Sequence, residues 1–267
     1  MDVSLRRELG AHLRAARELV SPEEAGLGGG GKRRTPGLRR EEVAVLAGVS
    51  VAWYTWLEQG RATTTRQVLD AVCRVLRMDP AAHRHALALA GFLAEPPLAE
   101  PAVVPGEQTW ALLESWESTP AALLDERLDI LGGNAAYRRL WGDPGELPAE
   151  RRNVLLLLAG PRVVAGEQLL RGLYQQFRAD TGHAPGDGRA AAIVRLLLAE
   201  RPDAAHWWRC RAVRDFAPVT VEVLPEGLRM TFSLLRPVAD QGVYILTQTP
   251  ADERSRAALA AAGAGRG

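Results

Sequence analysis

From its first turn the chain spaces apolar residues for a helix: Leu5, Leu9, Leu13 and Ala16 form one stripe, with Ser4 placed to cap a helix running to about Val20. Ser21, Pro22 and Glu24 come next with the spacing of a small capping box. The periodicity then stops. Four consecutive glycines in GLGGGGKRRTPG, residues 26–37, cannot hold a regular element cheaply, so a flexible basic loop is expected. Apolar spacing resumes from about Arg39 to Ala47. Gly48 suits a left-handed turn, Ser50 caps the next helix, and Gly60 closes it. Two more helices are predicted, from about Thr65 to Arg77 and from Pro80, capped by Asp79, to Leu93. The N-terminal third is therefore all-α, with five helices.

EPPLAEPAVVPGE, residues 95–107, breaks the pattern, because its prolines preclude a helix and favour an extended tether. Beyond it the patterning is mixed. Residues 110–117 read as a helix, and 120–134 as a hairpin of two short apolar runs around Asp125 to Arg127. Helices are expected over 134–141, 151–158, 164–178, 188–201 and 203–209. Three strands close the region. VTVEVL at 219–224 alternates strictly, 228–236 places Leu228, Met230, Phe232 and Leu234 on one face, and 243–249 forms the third. The expected organisation is a helical domain at 1–94, a Pro-rich linker at 95–107, an α+β domain at 108–254, and an Ala/Gly-rich tail at 255–267 that forms a short fraying helix.

Charge changes this picture only locally. The whole chain carries a formal +1, yet residues 1–94 hold 14 Lys and Arg against 10 Asp and Glu, net +4, leaving 19 against 22 and net −3 for the rest. Cys73 and Cys210 offer neither metal-ligand spacing nor a disulfide framework and suit free thiols in a reducing compartment. The longest apolar runs fall short of the roughly 20 residues of a membrane span, and MDVSLRREL lacks a signal-peptide core, so a cytoplasmic protein is expected.

Helices two and three share a core if Val43, Leu46, Val49, Tyr54 and Leu57 turn inward, with Ala47 small enough for a close crossing. Positions 51, 52, 53 and 56 then point outward. In a helix-turn-helix, that face enters the DNA major groove. The run VAVLAGVSVAWYTWLEQGR resembles the lambda-repressor-like (xenobiotic-response-element type) helix-turn-helix, and RRTPGLRREEVAVLAGVS, 33–50, is similar to the MmyB-like transcription regulators of actinobacteria. The likeness extends through SPEE and LEQGR and, more weakly, downstream. It implies a five-helix DNA-binding domain followed by a PAS-like ligand-binding domain, acting as a cytoplasmic regulator on double-stranded DNA.

On that reading Lys32, Arg33, Arg34, Arg39 and Arg40 neutralise phosphates, with Arg40 also a candidate for base contact. Arg61, Thr63, Thr64 and Thr65 grip the second flank, and Ser50, Val51, Ala52, Trp53 and Trp56 line the groove-facing helix. The chain departs from the family where it usually shows Asp, Tyr and Arg: here stand Ala52, Trp53 and Trp56. A guanidinium that binds guanine is thereby absent. What remains packs thymine methyls or sugar edges, or else offers an apolar patch to a protein partner.

Downstream, the LDIL strand with Asn134, Trp141-Gly142-Asp143, Arg151-Arg152-Asn153 and Trp207-Trp208 resemble the same family, whose PAS-like domain is thought to hold a fatty acid or another small apolar molecule. Leu123, Leu131, Tyr137, Leu140, Trp141, Leu155, Tyr174, Trp208, Met230 and Phe232 are candidates for a pocket lining and equally for a filled core. Arg152 and Asn153 are candidates to anchor a carboxylate head group, or to cap a helix. The chain reads Arg211-Ala212 where the family usually has His-Asp, and Gly133 where Trp is frequent, a change expected to enlarge or reshape a cavity. His12, His83, His85, His183 and His206 are scattered, and no G-x-S-x-G elbow, Walker loop or dinucleotide fingerprint is present, so neither an enzyme nor a metal or other cofactor is expected. A homodimer is expected, because one short helix supplies few contacts.

Overall fold

The computed structural model describes residues 2–27, 37–93, 103–184, 187–210 and 213–264, apart from the side chains of 208–210, 263 and 264. The basic loop residues Lys32, Arg33 and Arg34, much of the Pro-rich linker, and Arg211-Ala212 lie outside them, as does the Trp208 side chain. Two compact units are present. One comprises Met1–Leu98, Gly182–Gly186 and His206–Arg214; the other comprises Ala99–Thr181, Asp187–Ala205 and Asp215–Gly267.

The first unit is all-α: α1 (Val3–Leu19), α2 (Arg40–Ala47), α3 (Val51–Glu58), α4 (Arg66–Val75) and α5 (Pro80–Leu89). Asp2, rather than Ser4, caps α1, its carboxylate accepting from the Ser4 N–H. The Ser21 and Glu24 bonds of the capping box both form, yet they support only a turn. Gly48 takes the left-handed conformation at φ 69°, and Ser50 Oγ accepts from the Trp53 N–H at 3.2 Å. Leu5, Leu9, Leu13, Val43, Tyr54, Leu57, Leu69, Val72 and Leu89 form one core. A side chain at Gly10 would collide with the α3 backbone, so the close crossing is made at Gly10 on α1.

Leu46 does not join this core: it is exposed. At about 100° per residue the inward face of α2 is centred on Val43, Ala44 and Ala47, which turns positions 45 and 46 away. Helix α5 stops at Leu89, short of Leu93, with Gly91 at φ 73° just beyond.

The second unit is α+β. It contains α6 (Glu107–Glu114), the hairpin β1 (Ala121–Asp125) and β2 (Ile130–Gly133), α7 (Ala135–Trp141), α8 (Val154–Leu158), β3 (Val163–Val164), α9 (Glu167–Thr181) and α10 (Gly188–Glu200). The short α11 (Ala205–Cys210) begins at its boundary, and β4 (Val219–Val223), β5 (Leu228–Leu235), β6 (Val243–Pro250) and α12 (Glu253–Ala264) complete it. All pairings are antiparallel, in the order β2-β1-β6-β5-β4-β3. Two sequence expectations shift. Residues 163–164 pair as a strand before α9 starts, and the expected tail helix begins earlier, at Glu253, with Ser255 and Leu259 buried and the Ser255 hydroxyl accepting from the Arg229 N–H.

Register divides the sheet into two faces. Ala121, Leu123, Val243 and Ile245 pack with Leu113, Trp110, Trp116 and Leu131 on the α6 side. Partner residues in the ladders place Ala122, Leu124, Tyr244, Leu246, Gln248, Phe232, Met230 and Val221 on the opposite face. Asn134 closes the α6 side. Its Oδ1 accepts from the Ala121 and Tyr137 N–H groups, and its Nδ2 donates to the carbonyls of Leu113, Trp116 and Thr119.

Candidate functional site

The turn between α2 and α3 fixes which side chains a partner can reach. With Tyr54 and Leu57 fully buried, Val51, Ala52 and Trp56 face solvent, Trp56 at 51% exposure. Trp53 behaves differently: it is partly buried and packs against the core, so the four-residue outward face reduces to three. Exposed Val45 and Leu46 continue the apolar surface onto α2. Arg39 and Arg61 are exposed, as is Thr63; Thr64 is half-buried with its hydroxyl donating to the Thr65 carbonyl, and the Thr65 hydroxyl caps α4 by accepting from the Val68 N–H.

Sequence reasoning missed Glu58, whose side chain is 1% exposed. Its carboxylate accepts from Arg17 Nε at 2.5 Å and Nη2 at 3.3 Å and from Arg40 Nε at 2.7 Å, while Arg17 Nη1 donates to the Leu38 carbonyl at 2.7 Å. Burial opposes the Arg17 charge, but the Glu58 carboxylate outweighs it and holds the guanidinium more firmly protonated. One acid thus neutralises a buried guanidinium of α1 and tethers a partly exposed one at the start of α2. The signal was available: Glu58 lies four residues after buried Tyr54, in the register of the core face.

In the second unit the candidates separate by sheet face. Leu123 and Leu131 belong to the α6 side and cannot line a site with Met230 and Phe232, which are buried on the opposite face. There Trp141 Nε1 donates to Gln248 Oε1 at 2.7 Å, and the Arg162 guanidinium lies 4.7 Å from the Trp141 ring centre. Arg162 donates Nε to the Leu224 carbonyl and Nη2 to that of Leu140. Tyr137, one helical turn before Trp141, is buried with no hydrogen-bond partner for its hydroxyl among the described residues, and burial pushes that phenol well above its usual range. Gly133 opens no space, because a side chain there would collide with the Tyr137 ring. Tyr174 is buried on α9, stacked with Phe177 at 6.4 Å between ring centres.

Arg152 and Asn153 serve local structure. Asn153 Oδ1 caps α8 through the Leu155 N–H, and its Nδ2 donates to the Arg127 carbonyl and Asp129 Oδ1. Arg152 Nη2 donates to the carbonyls of Gly145 and Leu147. Arg162 and Gln248 were missed because only the fold brings them to Trp141: their separations in sequence are 21 and 107 residues.

Comparison with known proteins adds two findings. The family of the MmyB-like transcription regulator ligand binding domain matches residues 106–262, more than half of the chain, and a helix-turn-helix domain family matches residues 8–87. No curated protein matches the chain. Among the described residues, no helix is long and apolar enough to cross a membrane.

Proposed function

The chain belongs to the MmyB-like transcription regulators, DNA-binding proteins with a helix-turn-helix and a ligand-binding domain, and from that premise we propose how its two units divide the work. The first unit docks α3 in the major groove as part of a homodimer in the cytoplasm, with Arg39, Arg40, Arg61 and the basic loop residues Lys32, Arg33 and Arg34 on phosphates. The second unit holds a small apolar molecule of the fatty-acid type on the sheet face that carries Tyr137, Trp141, Met230 and Phe232. Ligand acts by binding two conformations unequally, since equal affinity for both would shift nothing.

The observation that carries the DNA reading is the division of α3 into a buried Tyr54–Leu57 side and an exposed Val51–Ala52–Trp56 side. For the ligand, the support is a buried phenol hydroxyl with no hydrogen-bond partner among the described residues, on a face that also carries Met230 and Phe232. Affinity for promoter DNA is expected to fall steeply with salt as counterions are released, and Ala at Arg33, Arg34 and Arg40 together should abolish the complex in a mobility-shift assay. Salt-independent binding would favour the second reading, in which the exposed patch of Val45, Leu46, Val51 and Trp56 receives a protein partner. Native mass spectrometry of protein from cells should reveal a co-purifying lipid.

A further inference from the structure

The outward side of α3 is unusually poor in hydrogen-bonding groups for a helix that enters a groove. Val51, Ala52 and Trp56 are exposed and apolar over most of their area. Thr55 spends its hydroxyl hydrogen on the Val51 carbonyl at 2.8 Å. Gln59 lies past the last helical residue as the C-cap. The Arg40 guanidinium has its Nε committed to Glu58, which favours a fixed positioning role over a search for base edges. The Trp56 backbone is held in the last turn of α3, where its carbonyl accepts from the Arg61 N–H at 2.8 Å and the Ala62 N–H at 3.3 Å.

Each base pair shows the major groove a pattern of donors and acceptors, and A·T pairs alone add an apolar methyl, the 5-methyl group of thymine. A bidentate reader of guanine or adenine needs Arg, Lys, Asn or Gln, none of which stands on the exposed turns of α3. We infer that this helix selects its site by thymine methyl groups, with Val51, Ala52 and Trp56 as the specificity-determining residues. The inference rests on the DNA-binding reading and goes beyond it by naming the chemical group that is read.

The test replaces thymine by uracil, which removes the methyl and leaves every hydrogen-bonding group in place. A duplex recovered by genome-wide capture with the full-length protein is synthesised with each thymine of the protected segment changed singly to uracil. At thymines facing α3, affinity should fall about fourfold per methyl, the change expected for withdrawing one such group from an apolar contact. Trp56→Ala and Val51→Ser should each weaken binding of the thymine duplex and shrink the uracil penalty at one position. Equal affinity for thymine and uracil duplexes at every position, with the complex intact, overturns the inference, as does an undiminished penalty in both variants. Failure of the protein to bind any captured duplex would instead remove the DNA-binding reading on which it rests.

Discussion

The two units place their working residues in opposite relations to their cores. In the first, core and candidate contacts occupy different sides of the same short helix: Tyr54 and Leu57 inside, Val51 and Trp56 outside. In the second, Tyr137, Trp141, Met230 and Phe232 are themselves buried, so the residues proposed to meet a ligand are also those that hold the sheet to its helices. A surface reader can change specificity without touching stability. An interior site cannot, and a change there alters both unless the atom removed has no protein partner.

The largest expected effect tests how far the first unit depends on its buried acid. Glu58→Ala leaves the buried Arg17 uncompensated and Arg40 untethered, and should cost about 3–5 kcal/mol. Calorimetry should show a weakened transition for that unit alone, together with loss of DNA binding; an unchanged thermogram would contradict the account. Next, the two tryptophans of α3 should separate. Trp53→Ala exposes core and should destabilise by about 2 kcal/mol, whereas Trp56→Ala should stay within about 0.5 kcal/mol while weakening the DNA complex.

A third effect belongs to the second unit and to pH. Burial raises the Asp180 carboxyl to about 6, although its bonds from Tyr244 and Gln176 and nearby Arg236 favour the charged form. A carboxyl raised on folding contributes stability that is fully present below its ordinary range near 4 and is lost as pH rises through about 6. Lowering the pH from 7 to 5 should therefore add about 1–2 kcal/mol to that unit relative to Asp180→Asn, read as diverging melting curves. Parallel curves would show that burial does not raise this carboxyl. The smallest effect is the most pointed: Tyr137→Phe should change stability by less than about 0.5 kcal/mol, since the hydroxyl has no hydrogen-bond partner among the described residues, yet reduce retention of any co-purifying lipid.

Much of the first unit was legible in the sequence because its signals are local. Gly48, Ser50 and Asp79 act within three or four residues of themselves, and each does what its type and position predict. The misplacement of Leu46 is equally local, a rotation of one helix face that spacing alone left undetermined. In the second unit the hairpin and the three closing strands were readable for the same reason. The assignment of Leu123 and Leu131 to a common lining failed because a run such as β1, buried on both faces, carries no alternation to reveal its inner side.

Periodicity, caps and glycine positions, all properties of neighbouring residues, determined the helix-turn-helix of the first unit and the α+β character of the second. Only the tertiary structure decided that Glu58 would bind two guanidiniums from different helices, that Trp53 would fold back while Trp56 stayed out, and that the Tyr137 ring would occupy the place left by Gly133. Those outcomes depend on distances between residues remote in the chain, which packing sets and linear spacing does not encode.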